Sequence, residues 1–179
     1  RTFSSAASDV YKRQVLGTSS RTTGFARQLA TLTHKIAAGH DNIDGVVAVA
    51  HTEGGSRSKP NNRALLLRTL AGFMVHPNVG AVLAVDYGSE AVNNESLLAY
   101  MEDHDYALDA VPHRFMRIER DFVDQLEMAE AQIRTWIPVV DSNKRTPESL
   151  GHLRIALQCG GSDAFSGVSG NPLVSWVAK

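Results

Sequence analysis

The sequence predicts an α/β protein of three layers, with helices on both faces of a mostly parallel sheet. Three observations carry this. Short unbroken apolar runs recur along the chain, amphipathic stretches of about ten to seventeen residues separate them, and polar glycine-rich segments follow three of the runs. Strands alternating with helices imply right-handed crossovers, and such crossovers generate parallel strands.

Regular patterning begins at Thr22. Phe25, Leu29, Leu32 and Ile36 recur at helical spacing, so a first helix is expected to bury that stripe and end near Gly39. Asp44–His51, DGVVAVAH, is short and continuously apolar, as a strand covered on both faces would be. A second helix fits Asn61–Val75, with Leu66, Leu70, Phe73 and Met74 inward, and Pro77 ends it. Val79–Gly88, VGAVLAVDYG, is a second buried strand, and a helix over Asn93–Asp103 follows. His113–Ile118 is a shorter strand after Pro112. Asp121–Ile137 is a helix with Phe122, Leu126, Ala129, Ile133 and Trp136 on one side, and Leu153–Cys159, LRIALQC, is the last strand.

The two ends read differently. The first fourteen residues, RTFSSAASDVYKRQ, have no starting Met, no apolar periodicity and no signal-peptide core, and resemble translated adapter sequence. Residues 1–14 are therefore expected to be a non-native leader. At the other end, Asn171-Pro172 opens a helix that stops after about two turns. Residues 15–179 are expected to be a fragment of a longer catalytic region, truncated at both ends.

Composition excludes several classes. The chain has 179 residues, 43% of them hydrophobic and 21% charged, and a formal net charge of -1. That is globular material with no electrostatic case for nucleic acid or an acidic membrane surface. No apolar stretch approaches the roughly 20 residues a membrane span needs. The single cysteine, Cys159, rules out an intrachain disulfide and suits a reducing, cytoplasmic setting.

Polar residues gather after the apolar runs, in HTEGGSRSKPNN (His51–Asn62), DYGSEAVNN (Asp86–Asn94) and QCGGSDAFSG (Gln158–Gly167). Parallel strands would deliver all three segments to one edge of the sheet, where ligands of such folds bind. His51, Glu53, Glu90, Cys159, Ser162 and Asp163 would then converge. Each has a plainer alternative: His51 as a strand-end cap, Glu53 and Glu90 as solvated carboxylates, Cys159 as a small buried hydrophobe. No zinc spacing, phosphate loop or dinucleotide fingerprint occurs.

LQCGGSDAFSGVSGNP resembles the signature segment of the altronate/galactarate dehydratase family. DGVVAVAHTEGG and HPNVGAVLAVDYGSE resemble its upstream blocks in the same order, so the likeness spans Ile43–Lys179. Members are longer than this chain. The resemblance implies a hydro-lyase that converts a hydroxylated sugar acid to a 2-keto-3-deoxy acid with a divalent metal, Fe2+ first and Mn2+ or Mg2+ as alternatives. A branch of the family acts as a sulfolactate sulfo-lyase, and a non-catalytic sugar-acid-binding module is a third reading. Many members carry cysteines where this chain has Gly55 and Ser89, so an iron–sulfur cluster is not expected here.

In the lyase reading, His51 is the base, with Glu53 and Asp163 as further acid/base groups. Cys159 and Glu90 are metal ligands, with Asp163 as an alternative ligand. The backbone of Gly160 and Gly161, with Ser162, forms an anion nest for the substrate carboxylate, and Arg57 is a second carboxylate partner. The expected partner is a small sugar acid, with a homodimer as the expected assembly.

Overall fold

The computed structural model describes residues 11–37, 39–40, 42–119, 121–143, 147, 149, 151, 161 and 163–177. The chain divides into two compact units, one over residues 5–145 and a second that contains 146–179.

The first unit is a three-layer α/β fold. Its strands are β1 (Tyr11–Gly17), β2 (Ile43–Val49), β3 (Val79–Asp86) and β4 (His113–Arg117). They form one sheet in the order β2-β1-β3-β4, and every pairing is parallel. The helices are α1 (Thr23–Ala37), α2 (Arg63–Met74), α3 (Asn94–Asp103) and α4 (Phe122–Asp141). Pleating sends alternate residues of a strand to opposite faces, and the core is split accordingly. Val15, Leu83 and Val85 pack with Phe25 and Leu29 of α1 and Leu126 and Ile133 of α4. Leu16, Val82 and Ala84 pack on the other face with Leu67 and Met74 of α2 and Leu97 and Met101 of α3.

The strand order positions the site. From β1 the chain steps outward to β2, then crosses back over β1 to β3 on the far side. Connections leaving β1 and β3 diverge to opposite faces, α1 to one and α3 to the other, the topology that marks the crevice outside the carboxyl ends of a parallel sheet. Parallel sheets bind ligands at such a switch point.

Several expectations need correction. Tyr11–Gln14, set apart above with the leader, are hydrogen-bonded into β1, the strand between β2 and β3. Only Val15 and Leu16 are aliphatic in its YKRQVLG sequence, so no continuous run announces it. β2 is an edge strand rather than one covered on both faces: Asp44 is exposed and Val47–Val49 are half-buried. Leu32, Phe73 and Phe122, expected inside, are exposed. Phe122 nonetheless meets Phe25 edge-on, with ring centroids 5.4 Å apart.

α4 continues past the expected stop at Ile137, through Pro138 to Asp141. The ring costs a backbone hydrogen bond, but the last turn is held by tertiary contacts. Val140 is fully buried and seats over Gly80, where any Cβ would collide with it. Asp141 accepts from the Asn42 backbone N–H at 3.2 Å and contacts His40 Nδ1 at 3.0 Å. The expected strand Leu153–Cys159 lies outside the described residues.

In the second unit, a helical stretch runs from Ala164 through a π-type turn at Ser166–Gly170 into α5 (Asn171–Val177). Asp163 opens it: its Oδ1 accepts from Ser166 N at 2.7 Å, and Ser166 Oγ accepts from Asp163 N at 3.2 Å. This reciprocal pairing is the logic of a capping box. No described helix is long and apolar enough to cross a membrane.

Candidate functional site

Three segments meet at the carboxyl ends of β1, β2 and β3: Thr18–Thr22, His51–Arg57 and Tyr87–Glu90. The first was not anticipated, yet it ties the others together. Thr18 donates from both N and Oγ1 to the Val85 carbonyl, fastening the end of β1 to β3. Ser20 N donates to the Glu53 carbonyl at 2.7 Å. Ser19 Oγ donates to Glu90 Oε1 at 3.1 Å, and Arg21 Nη1 donates to Ser89 Oγ at 2.7 Å. Two side-chain rungs therefore join the β1 segment to the β3 segment.

His51 is half-buried and its tautomer follows from its neighbours. Nδ1 accepts from the Glu53 N–H at 3.2 Å, so in the neutral ring the proton sits on Nε2, which donates to the Gly17 carbonyl at 2.9 Å. A proton can be taken at Nδ1 only when the Glu53 contact opens. The His51 carbonyl accepts from Thr23 Oγ1 at 2.8 Å, which fixes the start of the segment on α1. Glu53 itself is exposed, with Oε2 3.4 Å from Asn62 Nδ2, and Arg57 is exposed.

Glu90 is 4% exposed and holds the crevice floor. Its Oε1 accepts from Ser19 Oγ and from Tyr87 N, while Oε2 is buried without a hydrogen-bond partner. Beside it stands Asp86, fully buried at the end of β3. Asp86 Oδ2 accepts from Asn94 N at 2.7 Å at the start of α3, and Oδ1 faces Arg117 Nε at 3.7 Å across the β3–β4 register. Burial pushes the Asp86 carboxyl above its ordinary value, against the pull of the Asn94 N–H; the Glu90 charge adds to the rise and Arg117 opposes it. Arg117 reaches Asp86 across Gly88, whose φ of 77° and lack of a side chain are both required, since a Cβ there would collide with the guanidinium. Asp86 and Arg117 were not among the expected site residues; an aspartate closing an apolar strand was the available signal.

Of the remaining expected residues, Cys159, Gly160 and Ser162 lie outside the described residues. Gly161 and Asp163 belong to the second unit, where both take part in local hydrogen bonds with Ser166. The structure thus places His51, Glu53 and Glu90 on adjoining segments at the carboxyl ends of the strands, with the Glu53 side chain exposed. A separate groove of about 920 Å³ beside α2 and the β2 edge includes His51 in its lining, but otherwise presents mainly Val49, Leu66, Leu70 and Phe73.

The donor set decides whether these residues suit a divalent ion. Among the described residues no group of three or more His, Cys, Asp or Glu side chains is placed to hold one. Glu90 Oε2 is an available oxygen, closed off from solvent. The described residues do not make a metal site by themselves.

Residues 13–141 match the family described as D-galactarate dehydratase/altronate hydrolase, second domain. The chain belongs to this family. Residues 150–179 match the D-galactarate/altronate dehydratase C-terminal family, so the boundary between the two matches falls where the chain divides into two units. The altronate dehydratase of Escherichia coli (strain K12) is 32% identical over 163 residues, 89% of this chain and 31% of that protein. The altronate dehydratase of Bacillus subtilis (strain 168) is 32% identical over 135 residues, 74% of this chain and 25% of that protein. The galactarate dehydratase (L-threo-forming) of Escherichia coli (strain K12) is 28% identical over 124 residues, 63% of this chain and 22% of that protein. The chain therefore spans less than a third of the length of these curated relatives. No solved structure matches it.

Within this family frame, of the two positions where the resemblance expects cysteines, Gly55 borders Ser20 and Arg21 and Ser89 borders Arg21. Ser89 accepts from Arg21, and a Cβ on Gly55 would run into Ser20 Oγ. Gly55→Ala is expected to destabilise the protein by about 0.5–1.5 kcal/mol, the cost of turning Ser20 Oγ out of its rotamer. Ser20→Ala should recover most of that loss in a double-mutant cycle read by urea unfolding. Additive effects would mean that the two residues do not share this space.

Proposed function

We propose that the chain is part of a hydro-lyase acting on a sugar acid of the altronate or galactarate type. The reaction removes the proton at C2, alpha to the carboxylate, and expels the C3 hydroxyl, which leaves as water after gaining a proton. The enol that results tautomerises to a 2-keto-3-deoxy acid. His51 is the proposed base, acting at Nδ1 once the Glu53 N–H contact opens. Glu53 is the proposed acid/base partner within the same unit, and Arg57 a proposed substrate contact.

The observation that carries this reading is the His51 imidazole. It stands at the mouth of the crevice, and the Gly17 carbonyl holds its proton on Nε2 so that Nδ1 keeps its lone pair. A general base needs that arrangement within reach of the substrate. Membership of a family whose curated members here are named altronate and galactarate dehydratases supplies the substrate class.

A second reading, a non-catalytic sugar-acid-binding module, is favoured by one observation: both His51 nitrogens are engaged by backbone groups. Incubation with altronate, galactarate and sulfolactate decides among the readings. Formation of a 2-keto-3-deoxy acid is the expected result. Sulfite release would point to the sulfo-lyase branch instead, and binding with neither product would remove the lyase reading.

A further inference from the structure

Arg21 was not among the residues expected to meet substrate, yet the crevice holds its guanidinium ready. Nη1 is tied to Ser89 Oγ at 2.7 Å, and the cation lies over the Tyr87 ring, 5.0 Å from its centroid. These contacts fix the plane of the group while using one of its five N–H donors. Among the described residues no carboxylate pairs with it, and Nε and Nη2 have no protein acceptor. The side chain is exposed at the mouth of the crevice rather than folded into the core. Arg57, by contrast, is exposed on the following segment with no described contact that fixes it.

The surroundings favour an anion there. Arg21 lies in the 3-10 turn Ser20–Thr22 that leads directly into the fifteen residues of α1, with Ser19 as its N-cap. The amino end of a helix carries partial positive charge. Ser19 in turn is anchored on Glu90, which fixes the turn in place without itself favouring an anion. The turn is thus held from both sides, and the exposed Arg21 guanidinium has no carboxylate partner among the described residues. A planar, pre-oriented guanidinium with four free N–H donors, among them the adjacent Nε and Nη2 groups, matches a carboxylate in bidentate fashion and loses little freedom on binding it.

We propose that Arg21 binds the carboxylate of the substrate, with Ser89 and Tyr87 holding the guanidinium in register. The ligand class is a hydroxylated carboxylic acid, and the choice of acids to test rests on the lyase reading above. The experiment is isothermal titration calorimetry of the protein with altronate, galactarate and the neutral polyol galactitol, using wild type, Arg21→Met and Arg21→Lys. Both acids should bind wild type and galactitol should not. Arg21→Met should weaken the acids about ten- to hundredfold, the range for losing a charged hydrogen-bonding partner. Arg21→Lys should fall between, and added guanidinium should restore part of the Arg21→Met loss.

Unchanged affinity in a folded Arg21→Met protein, galactitol binding as tightly as the acids, or no binding of either acid by wild type would each overturn the proposal. Dehydration assays on the same samples separate the two ideas. Arg21-dependent binding without turnover removes the lyase and keeps this site, whereas turnover indifferent to Arg21 does the reverse.

Discussion

His51→Ala is expected to lower kcat for dehydration of altronate or galactarate by about a hundred- to ten-thousandfold, the usual contribution of a positioned general base. The structural cost should be far smaller. His51 contributes one hydrogen bond to the Gly17 carbonyl and one from Glu53 N, each worth about 0.5–1.5 kcal/mol. His51→Gln separates the two effects, because its amide can still donate to Gly17 but has no basic nitrogen. The expected pattern is therefore a near-normal urea midpoint with turnover lost. Near-normal kcat in His51→Gln would remove His51 as the base and leave it a clip between β1 and the segment after β2.

Asp86→Ala is expected to destabilise the first unit by about 1–3 kcal/mol, because the buried Asn94 N–H at the start of α3 would lose its acceptor. The exposed Arg117 side chain adds little to that figure. Asp86→Asn tests the charge separately. Burial, its largest cause, raises the folded carboxyl above the ordinary value of 3.8. The folded protein then keeps this proton after the unfolded chain has lost it. Stability from this group is accordingly fully present below pH 3.8, falls as pH rises toward the raised folded value, and is level above it. Asparagine does not titrate, so the stability of Asp86→Asn relative to wild type should improve across that window. Urea unfolding of both proteins at a series of pH values reads the difference directly; a difference that moves the other way with pH would mean that the ionised carboxylate is favoured in the fold.

Asp86 also shows what the sequence left hidden. VGAVLAVDYG reads as a buried strand followed by a polar turn, and β3 is buried from end to end. Its aspartate gains meaning only once β4 lies alongside and sets Arg117 opposite it. Glu90 behaves similarly: on the page it is a loop carboxylate, and in the fold it is the buried anchor of Ser19 and Tyr87 N. Ser19, Ser20 and Arg21 were overlooked for a related reason. They follow β1, whose YKRQVLG sequence lacks a continuous apolar run, so the strand that delivers them was not recognised.

What the sequence determined by itself is the class of the fold and most of its elements. α1 to α4 and β2 to β4 follow from periodicity, because apolar spacing reports directly which face of a helix or strand must leave water. Family membership likewise follows from short runs of sequence. Tertiary structure decided the order of the strands, and with it the site. Periodicity is a local property, whereas the place of β1 between β2 and β3 depends on pairing with residues about thirty to seventy positions away. That pairing creates the switch point, brings Arg21, His51 and Glu90 to one crevice, and turns an unremarked arginine into the cation best placed to meet an acid.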